Sequence, residues 1–502
     1  MNLSGKRKKL SEIVAALGMS PEECRAFRDV EITGVECRPA MVRPGDLFCC
    51  IDEFLEYNQW RQGRAHVDLA LERGAVAVLA AQPLENRERP HVVVSDAREA
   101  LGLAARVFHE APDRDIGIVG VTGTNGKTTT TRLIAHVLRT ALGRCASMGT
   151  LGMEVGGETI DPGEYTTPLA HVNYQRLARL REEGVKFAAM EVSSHALELN
   201  RVAGIRFAGA VLTNFSRDHL DFHGNIEAYA AAKKRLFARL DQDGFAVINS
   251  DTDRFDYFRD GLNAAVITCG VDGEADWTAG DIETGASGAR FVAGWRGRKY
   301  RVESRLVGRF QVYNILGALA AATALGVSPE AAAAAVADFP PAPGRMEAYP
   351  LPNGATAIID FAHNPDGLNH VLQNCRALRP RRLLIVFGCG GDRDLGKRPM
   401  MGRIASEHAD ECWLTSDNPR TEDPDAIIAD IRKGCSNPER LHVQPDRAVA
   451  IREAYAITRA GDVLVIAGKG HETCQLVGTT KVPYSDRGEV LRLKRPAPQV
   501  GA

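Results

Sequence analysis

Ile118-Val-Gly-Val-Thr-Gly-Thr-Asn-Gly-Lys-Thr-Thr-Thr-Thr-Arg-Leu-Ile134 is the stretch on which the fold turns. Ile116, Ile118, Val119 and Val121 make a buried-strand run that breaks at Gly123 and Gly126. From Thr128 onward, apolar residues return at 133, 134, 137, 138, 141 and 142, the spacing of one helix face. Strand, glycine turn, Lys-Thr and helix form the layout of a phosphate cradle. Glycines let backbone N–H groups turn inward, the helix N-terminus adds positive potential, Lys127 reaches phosphate oxygens and Thr128 suits Mg2+. The usual spacing has a glycine where Val121 stands, so this is a shortened variant. The competing reading, a glycine turn with a solvated lysine, does not explain the strand before it and the helix after it.

Working outward, the chain of 502 residues exceeds the roughly 250–300 at which single cores stop growing, so about two to four domains are expected. Charged residues at 25% and hydrophobic ones at 44% are ordinary for a soluble globular protein. A net charge of −2 gives no reason to expect nucleic acid or a membrane surface as partner. The basic run Lys6-Arg-Lys-Lys9 leads into Leu10-Ser-Glu-Ile-Val14, which carries an acidic residue and reads as a short helix rather than a signal peptide. No apolar run approaches the roughly 18 residues that span a bilayer. Eleven cysteines without a Cys-x-x-Cys pair point to free thiols in a reducing cytosol, hence a cytoplasmic protein.

Residues 1–112 read as a small α/β domain. Asp46-Leu-Phe-Cys-Cys-Ile51, Gly74-Ala-Val-Ala-Val-Leu79 and His91-Val-Val-Val-Ser95 are its strands. Asp96-Ala-Arg-Glu99 opens a helix through Phe108, and Ala111-Pro-Asp-Arg-Asp115 is the expected linker. The second segment, 113–342, alternates strands and helices, which implies a mostly parallel sheet. Within it, 266–307 predicts a short antiparallel element, and Ser328-Pro-Glu330 starts a capped helix. In the third segment, 343–502, four strands run into polar loops: Phe361–Asp366, Gly388–Asp394, Ser416–Arg420 and Gly468–Glu472. Open α/β sheets bind ligands at the carboxyl ends of their strands, so these four loops are expected to converge on one ligand.

Glu191 ends a strand in the phosphate-loop segment and suits a Mg2+ carboxylate. His219, inside Asp218-His-Leu-Asp221, is a candidate metal ligand, and Lys233 on its own reads as a solvated lysine. Arg393, Arg420 and Glu472, with Asp417 and Asn418, form a recognition set for a zwitterion, guanidinium for carboxylate and acidic group for ammonium. A surface salt-bridge network is the competing reading, and the placement in strand-end loops favours binding. From the residues alone this is an ATP-dependent enzyme with a separate domain for a charged, amino-acid-like ligand.

Eight motifs in order carry a family resemblance. They are Gly123-Thr-Asn-Gly-Lys-Thr-Thr129, Glu191-Val-Ser-Ser-His195, Thr213-Asn-Phe-Ser-Arg-Asp-His-Leu-Asp221, Ala232-Lys-Lys-Arg-Leu-Phe237, Tyr313-Asn314, Pro343-Gly-Arg345, Asp360-Phe-Ala-His363 and Gly468-Lys-Gly-His-Glu472. With them the chain resembles the Mur ligases of peptidoglycan synthesis. The resemblance implies a three-domain α/β fold, a central P-loop parallel-sheet ATPase domain flanked by a small N-terminal α/β domain and a C-terminal Rossmann-like α/β domain. Asp417-Asn-Pro-Arg420 resembles the motif of the member that adds meso-2,6-diaminopimelate to UDP-N-acetylmuramoyl-L-alanyl-D-glutamate, and implies that reaction through an acyl phosphate.

The resemblance also implies residue roles. Lys127, Lys233 and His219 are catalytic. Gly123, Thr124, Asn125, Gly126, Lys127, Thr128, Thr129, Asn314, Arg345, Asp360 and His363 contact ATP. Thr128, Glu191, His219 and Lys233, the last carbamylated by CO2, hold Mg2+. Val35, Cys37, Thr166, Thr167, Ser193 and Arg201 contact the UDP-linked muramoyl dipeptide. Arg393, Asp417, Asn418, Pro419, Arg420, Gly468 and Glu472 hold diaminopimelate. A monomer with small-molecule partners, and neither nucleic acid nor membrane insertion, is implied.

The chain departs from the family pattern in its first domain. Glu36-Cys37-Arg38 stands where Asp-Ser-Arg is usual, and Phe54-Leu-Glu-Tyr57-Asn58 where a glycine and an Asp-Gly pair are usual. Leu199 and Asn364 are further departures. The alternatives are the same ligase using L-lysine, a folylpolyglutamate-synthase-like ligase suggested by Asp360–Pro365, and a P-loop switch or scaffold that would leave the zwitterion loops without a task.

Overall fold

The computed structural model describes residues 6–54, 60–61, 63–84, 89–163, 165–285 and 287–494; Tyr57 and Asn58 of the altered motif lie outside them. The chain divides into two compact units, Met1–Thr278 with Asn314–Ala335, and Ala279–Tyr313 with Val336–Ala502.

In the first unit, Gly34–Glu36, Asp46–Cys50, Ala77–Ala80 and His91–Val93 form a four-stranded parallel sheet in that order. Helix Ala97–Phe108 begins where Asp96 accepts the N–H groups of Arg98 and Glu99 at 2.8 and 3.1 Å. Its buried face packs with Val35, Leu47 and Leu79 in one core. The expected linker is packed rather than solvated. Pro112 and Asp113 are buried, and Asp113 earns its burial by receiving Arg106 Nε at 3.0 Å.

The larger sheet of this unit sets Gly117–Thr122 between Phe187–Glu191 and Phe207–Leu212, parallel to both. Leu240–Asn249 and Ala265–Gly270 extend it in parallel on one side. Cys145–Gly149 lies parallel on the other, followed by antiparallel Gly152–Val155 and Glu158–Asp161. The short antiparallel element expected within 266–307 is present, but it does not include the first strand of that stretch. Ala265–Gly270 is parallel, not antiparallel, because helix Phe255–Arg259 returns the chain by a crossover. Antiparallel pairing in 266–307 is carried by Gly288–Trp295 with Arg298–Ser304. Helix Lys127–Leu142 buries Leu133, Ile134, Val137 and Leu138, while Leu142 at its end is exposed.

In the second unit, the sheet order is Glu347–Pro350, Thr356–Asp360, Val463–Ala467, Leu383–Phe387, Glu411–Leu414, Leu441–Val443. All neighbours are parallel except the first pair. Leu383, Ile385 and Phe387 join one core and Leu384 and Val386 another. Burial on both faces explains why this strand is apolar at every position. Helix Asp486–Leu493 is held to the sheet by Asp486, which meets Arg447 Nε and Nη2 at 2.8 Å each.

Candidate active site

The glycine loop is held by the strand-end segment beside it. Gly123 and Gly126 adopt φ of +147° and +83°, backbone that favours glycine. A Cβ at Gly123 would stand 1.9 Å from Thr213 Oγ1, and one at Gly126 2.3 Å from Asn314 Oδ1. Thr213 Oγ1 donates to Asn125 O at 2.6 Å, and Asn125 N–H donates to Asn214 Oδ1 at 2.9 Å. Thr124 Oγ1 donates to Ser216 O at 3.1 Å. Lys127 Nζ donates to Gly123 O and Thr124 O at 2.9 Å each, so the lysine folds over its own loop. Thr129 is buried behind it, and Thr130 Oγ1 donates to Asn314 Oδ1 at 3.2 Å.

Thr128 Oγ1 donates to the buried Glu191 carboxylate at 3.0 Å, and Thr150 N–H reaches its other oxygen at 2.9 Å. A threonine hydroxyl beside a buried carboxylate is a hard oxygen donor set, which fits Mg2+. His219 has left-handed backbone, φ +52°, and packs edge-on to the His195 ring at 4.7 Å. Burial, then the nearby His219 and His223, hold His195 down to about 2, so its imidazole is neutral.

Lys233 is not solvated: 1% of it is exposed. Helix Ile226–Lys234 aims its Nζ at Gly123 O, 2.8 Å away, and over the Tyr229 ring. Burial, then the charge of Lys127, push its pKa well below the ordinary lysine value.

Four of the six residues read as contacts to the sugar nucleotide come together. Thr167 Oγ1 donates to Glu191 O at 2.9 Å and accepts Ser193 N–H at 3.1 Å. Arg201 Nη1 donates to Thr167 O at 3.1 Å, and Thr166 Oγ1 lies 3.1 Å from Thr150 Oγ1. Arg201 is buried over the Tyr165 ring with its Nε without a hydrogen-bond partner, a donor suited to an anionic ligand. Val35 and Cys37 instead belong to the core of the first sheet, and Cys37 Sγ faces His171 Nδ1 at 3.8 Å.

In the second unit the strand-end loops meet. Asn418 Nδ2 donates to Glu472 Oε2 at 3.0 Å, and Gly391 N–H donates to Asn418 O at 2.9 Å. Gly468 packs so close to Asp417 that a Cβ there would stand 2.5 Å from Oδ2, itself buried without a partner. Arg420 has φ +52°, exchanges backbone hydrogen bonds with Leu476 and Gly478, and donates from Nη1 to Gly391 O at 2.8 Å. Pro419 is buried beneath it, and Arg393 is half-buried on the neighbouring loop. Phe361 and His471 rings stand 5.1 Å apart. Asp360 accepts Met346 and Ala362 N–H groups at 2.8 and 2.9 Å, and Arg345 lies over the Phe361 ring with Nε buried and without a hydrogen-bond partner. His363 is exposed, and its Nδ1 lies 2.8 Å from Phe361 O.

Glu472 is already engaged: the buried Lys469 donates to it at 2.6 Å and to Asn418 Oδ1 at 2.9 Å. Sequence reasoning missed Lys469, and also Lys397, whose Nζ holds His363 O at 2.9 Å. The signal for Lys469 was its position between Gly468 and Gly470, at a strand end where no solvated lysine is needed.

Residues 121–322 match the family description "Mur ligase middle domain" and residues 344–470 "Mur ligase, glutamate ligase domain". The chain is 42% identical over 475 residues, 93% of its length and 95% of the relative's, to the UDP-N-acetylmuramoyl-L-alanyl-D-glutamate--2,6-diaminopimelate ligase of Syntrophomonas wolfei. A solved structure of a ligase with the same name superposes with a TM-score of 0.66 at 35% identity, covering 93% of this chain and 95% of that one. The MurF ligase of Thermotoga maritima in complex with ADP shares the fold, with a TM-score of 0.57 at 17% identity over 87% of this chain and 94% of that one.

Proposed function

Because the chain belongs to the Mur ligase family, we propose that it is the ATP-dependent amide ligase that adds meso-2,6-diaminopimelate to UDP-N-acetylmuramoyl-L-alanyl-D-glutamate, in peptidoglycan precursor synthesis. The observation that carries this reading is the 42% identity, along 93% of the chain, to a relative of that name. The γ-phosphoryl group of ATP passes to the D-glutamate side-chain carboxylate, giving an acyl phosphate and ADP. The neutral amine of diaminopimelate attacks the acyl carbon, the C–O bond to phosphate breaks, and the amine proton leaves with solvent.

We assign residues 1–112 to the UDP-linked substrate, 113–342 to ATP and 343–502 to the amino acid. Gly123 to Thr129 cradle the phosphates, and Lys127 exchanges its two loop carbonyls for phosphate oxygens. Phosphoryl transfer needs positioning and charge neutralisation above all. Asn314, Arg345, Asp360 and His363 are assigned to ATP. Thr128, Glu191, His219 and carbamylated Lys233 are the proposed ligands of Mg2+, an ion that neutralises phosphate charge when bound. Burial, which lowers the pKa of Lys233, supports carbamylation: the unprotonated amine nitrogen bonds the carbon of CO2, one N–H proton leaves to solvent, and the side chain becomes an anionic oxygen ligand. Val35, Cys37, Thr166, Thr167, Ser193 and Arg201 are assigned to the UDP-linked dipeptide, the first two through their backbone.

For diaminopimelate we assign Arg393, Asp417, Asn418, Pro419, Arg420, Gly468 and Glu472, with Lys469 holding Glu472 in place. Arg420 meets the distal carboxylate that L-lysine lacks. We further propose a monomer in the cytoplasm, a reading supported by the eleven unbridged cysteines; no described helix is long and apolar enough to cross a membrane.

Phosphate release with ATP, Mg2+ and UDP-N-acetylmuramoyl-L-alanyl-D-glutamate, comparing meso-diaminopimelate, L-lysine and no amine, tests the proposal. Turnover with diaminopimelate alone is expected. Equal turnover with lysine would overturn the role of Arg420, and no turnover with either amine would overturn the reaction.

A further inference from the structure

The strand-end loops of the second unit are stitched together at one buried ammonium. Lys469 lies between Gly468 and Gly470, whose φ of +116° and +52° belong to backbone that favours glycine. These glycines let the loop press against its neighbours. A Cβ at Gly468 would stand 2.5 Å from Asp417 Oδ2, and one at Gly470 2.7 Å from Phe361 Cβ. The lysine between them is 0% exposed, and its Nζ donates to Asn418 Oδ1 at 2.9 Å and to Glu472 Oε2 at 2.6 Å. A buried ammonium has to be matched by acceptors, so Lys469 ties the Gly468–Glu472 loop to the Ser416–Arg420 loop.

The tie continues beyond Asn418. The same Oδ1 accepts Leu476 N–H at 2.9 Å, and Leu476 O accepts Arg420 N–H at 3.0 Å. Arg420 O in turn accepts Gly478 N–H at 2.7 Å. Leu476 belongs to the hairpin of Cys474–Val477 with Thr480–Pro483. This hairpin clamps both backbone groups of Arg420, whose φ of +52° is left-handed. A residue other than glycine keeps such a conformation only where its surroundings over-determine it. The clamp is anchored on Asn418 Oδ1, and Lys469 is one of the two donors that fix that oxygen.

We propose that Lys469 is a positioning residue for Arg420, and through it a determinant of selectivity for an amino acid with a second carboxylate, an inference that rests on the reading of Arg420 as the partner of the distal carboxylate. Without the ammonium, the Asn418 carboxamide is free to rotate and Leu476 N–H loses a fixed acceptor. Arg420 then relaxes out of the left-handed region and draws its guanidinium from its seat on Gly391 O. The same loss releases Glu472, so the acidic and guanidinium ends of the site lose their spacing together. None of the residues in this chain of hydrogen bonds is assigned to ATP or to the UDP-linked dipeptide, so the effect is confined to the amino acid.

Wild type, Lys469→Met, Arg420→Met and the double variant are compared by phosphate release with meso-diaminopimelate and with L-lysine. Lys469→Met should raise KM for diaminopimelate and lower the preference over lysine, as a ratio of kcat/KM values, by about 10–100-fold, the scale on which a displacement of about 1 Å is felt. KM for ATP and for the UDP-linked dipeptide should stay within about twofold of wild type, whereas a merely structural loss would move all three KM values together. In the Arg420→Met background, Lys469→Met should change the ratio by less than about twofold, since both act through one guanidinium. A ratio within about twofold of wild type, a parallel rise in all KM values, or effects that multiply in the double variant would overturn the proposal. If Lys469→Met does not fold, Lys469→Gln, which keeps a shorter donor, is read by the same criteria. An unchanged ratio in Arg420→Met alone would remove the reading of Arg420, and the role of Lys469 with it.

Discussion

Burial of its Nζ against Gly123 O, then the charge of Lys127, hold the Lys233 pKa well below the ordinary lysine value. The unfolded chain keeps the same proton up to about pH 10.4. Between the folded and unfolded pKa the unfolded state binds more protons, so stability falls as pH falls through that window. In CO2-free buffer, Lys233→Met should therefore unfold at higher urea than wild type at pH 7, with the gap closing as pH rises toward about 10, and should lose ligase activity. Urea midpoints at several pH values check this; a gap that does not change with pH would sink it. Lys127→Ala should lower turnover by about 10²–10³-fold, the cost of removing a donor aimed at developing charge. Stopped assays at saturating ATP measure it, and turnover within threefold of wild type, roughly 0.6 kcal/mol, would exclude the role. The sequence displayed both lysines, but only Lys127 explained itself. Lys233 and Lys469 take their character from burial, which depends on what packs above them and leaves little local trace.

At the scale of elements, the strand-loop-helix at Gly117–Leu142 was legible because periodicity and glycine placement agree. The four strand-end loops of the second unit were legible for the same reason. Cys145–Gly149 was not, since Cys-Ala-Ser-Met-Gly has neither the β-branched residues nor the alternation of a strand, and its neighbours in the sheet hold it there. The contact of Cys37 with His171 was equally hidden, because its members come from different elements. Helix Asp486–Leu493 offers a test at this scale. Its anchor is an ion pair in which Arg447 and Asp486 are both almost fully buried. Asp486→Asn leaves the guanidinium without its counter-charge and should cost about 3–5 kcal/mol, while Arg447→Leu with Asp486→Leu should recover part of that. Chemical denaturation of the wild type and the two variants measures it. A loss below about 1 kcal/mol, the range of an exposed pair, would contradict the burial.

For the whole molecule, selectivity and assembly are the properties to predict. Arg420→Met should lower the preference for diaminopimelate over L-lysine, measured as a ratio of kcat/KM values, by about 30-fold to several thousandfold, the equivalent of about 2–5 kcal/mol. An unchanged ratio would move the specificity to Arg393 or elsewhere. Light scattering should report a particle of 54.4 kDa, and a doubled mass would end the monomer reading. Thr167 ties the molecule's proposed sites together. Its hydroxyl donates to the carbonyl of Glu191 and accepts the N–H of Ser193, while its own carbonyl receives Arg201. Thermodynamic reciprocity follows from such a shared fixture: whatever factor the UDP-linked dipeptide adds to the affinity for Mg2+–ATP, Mg2+–ATP must return to the dipeptide. Calorimetric titrations run in both orders should give one and the same coupling factor, and Thr167→Val should draw it toward unity.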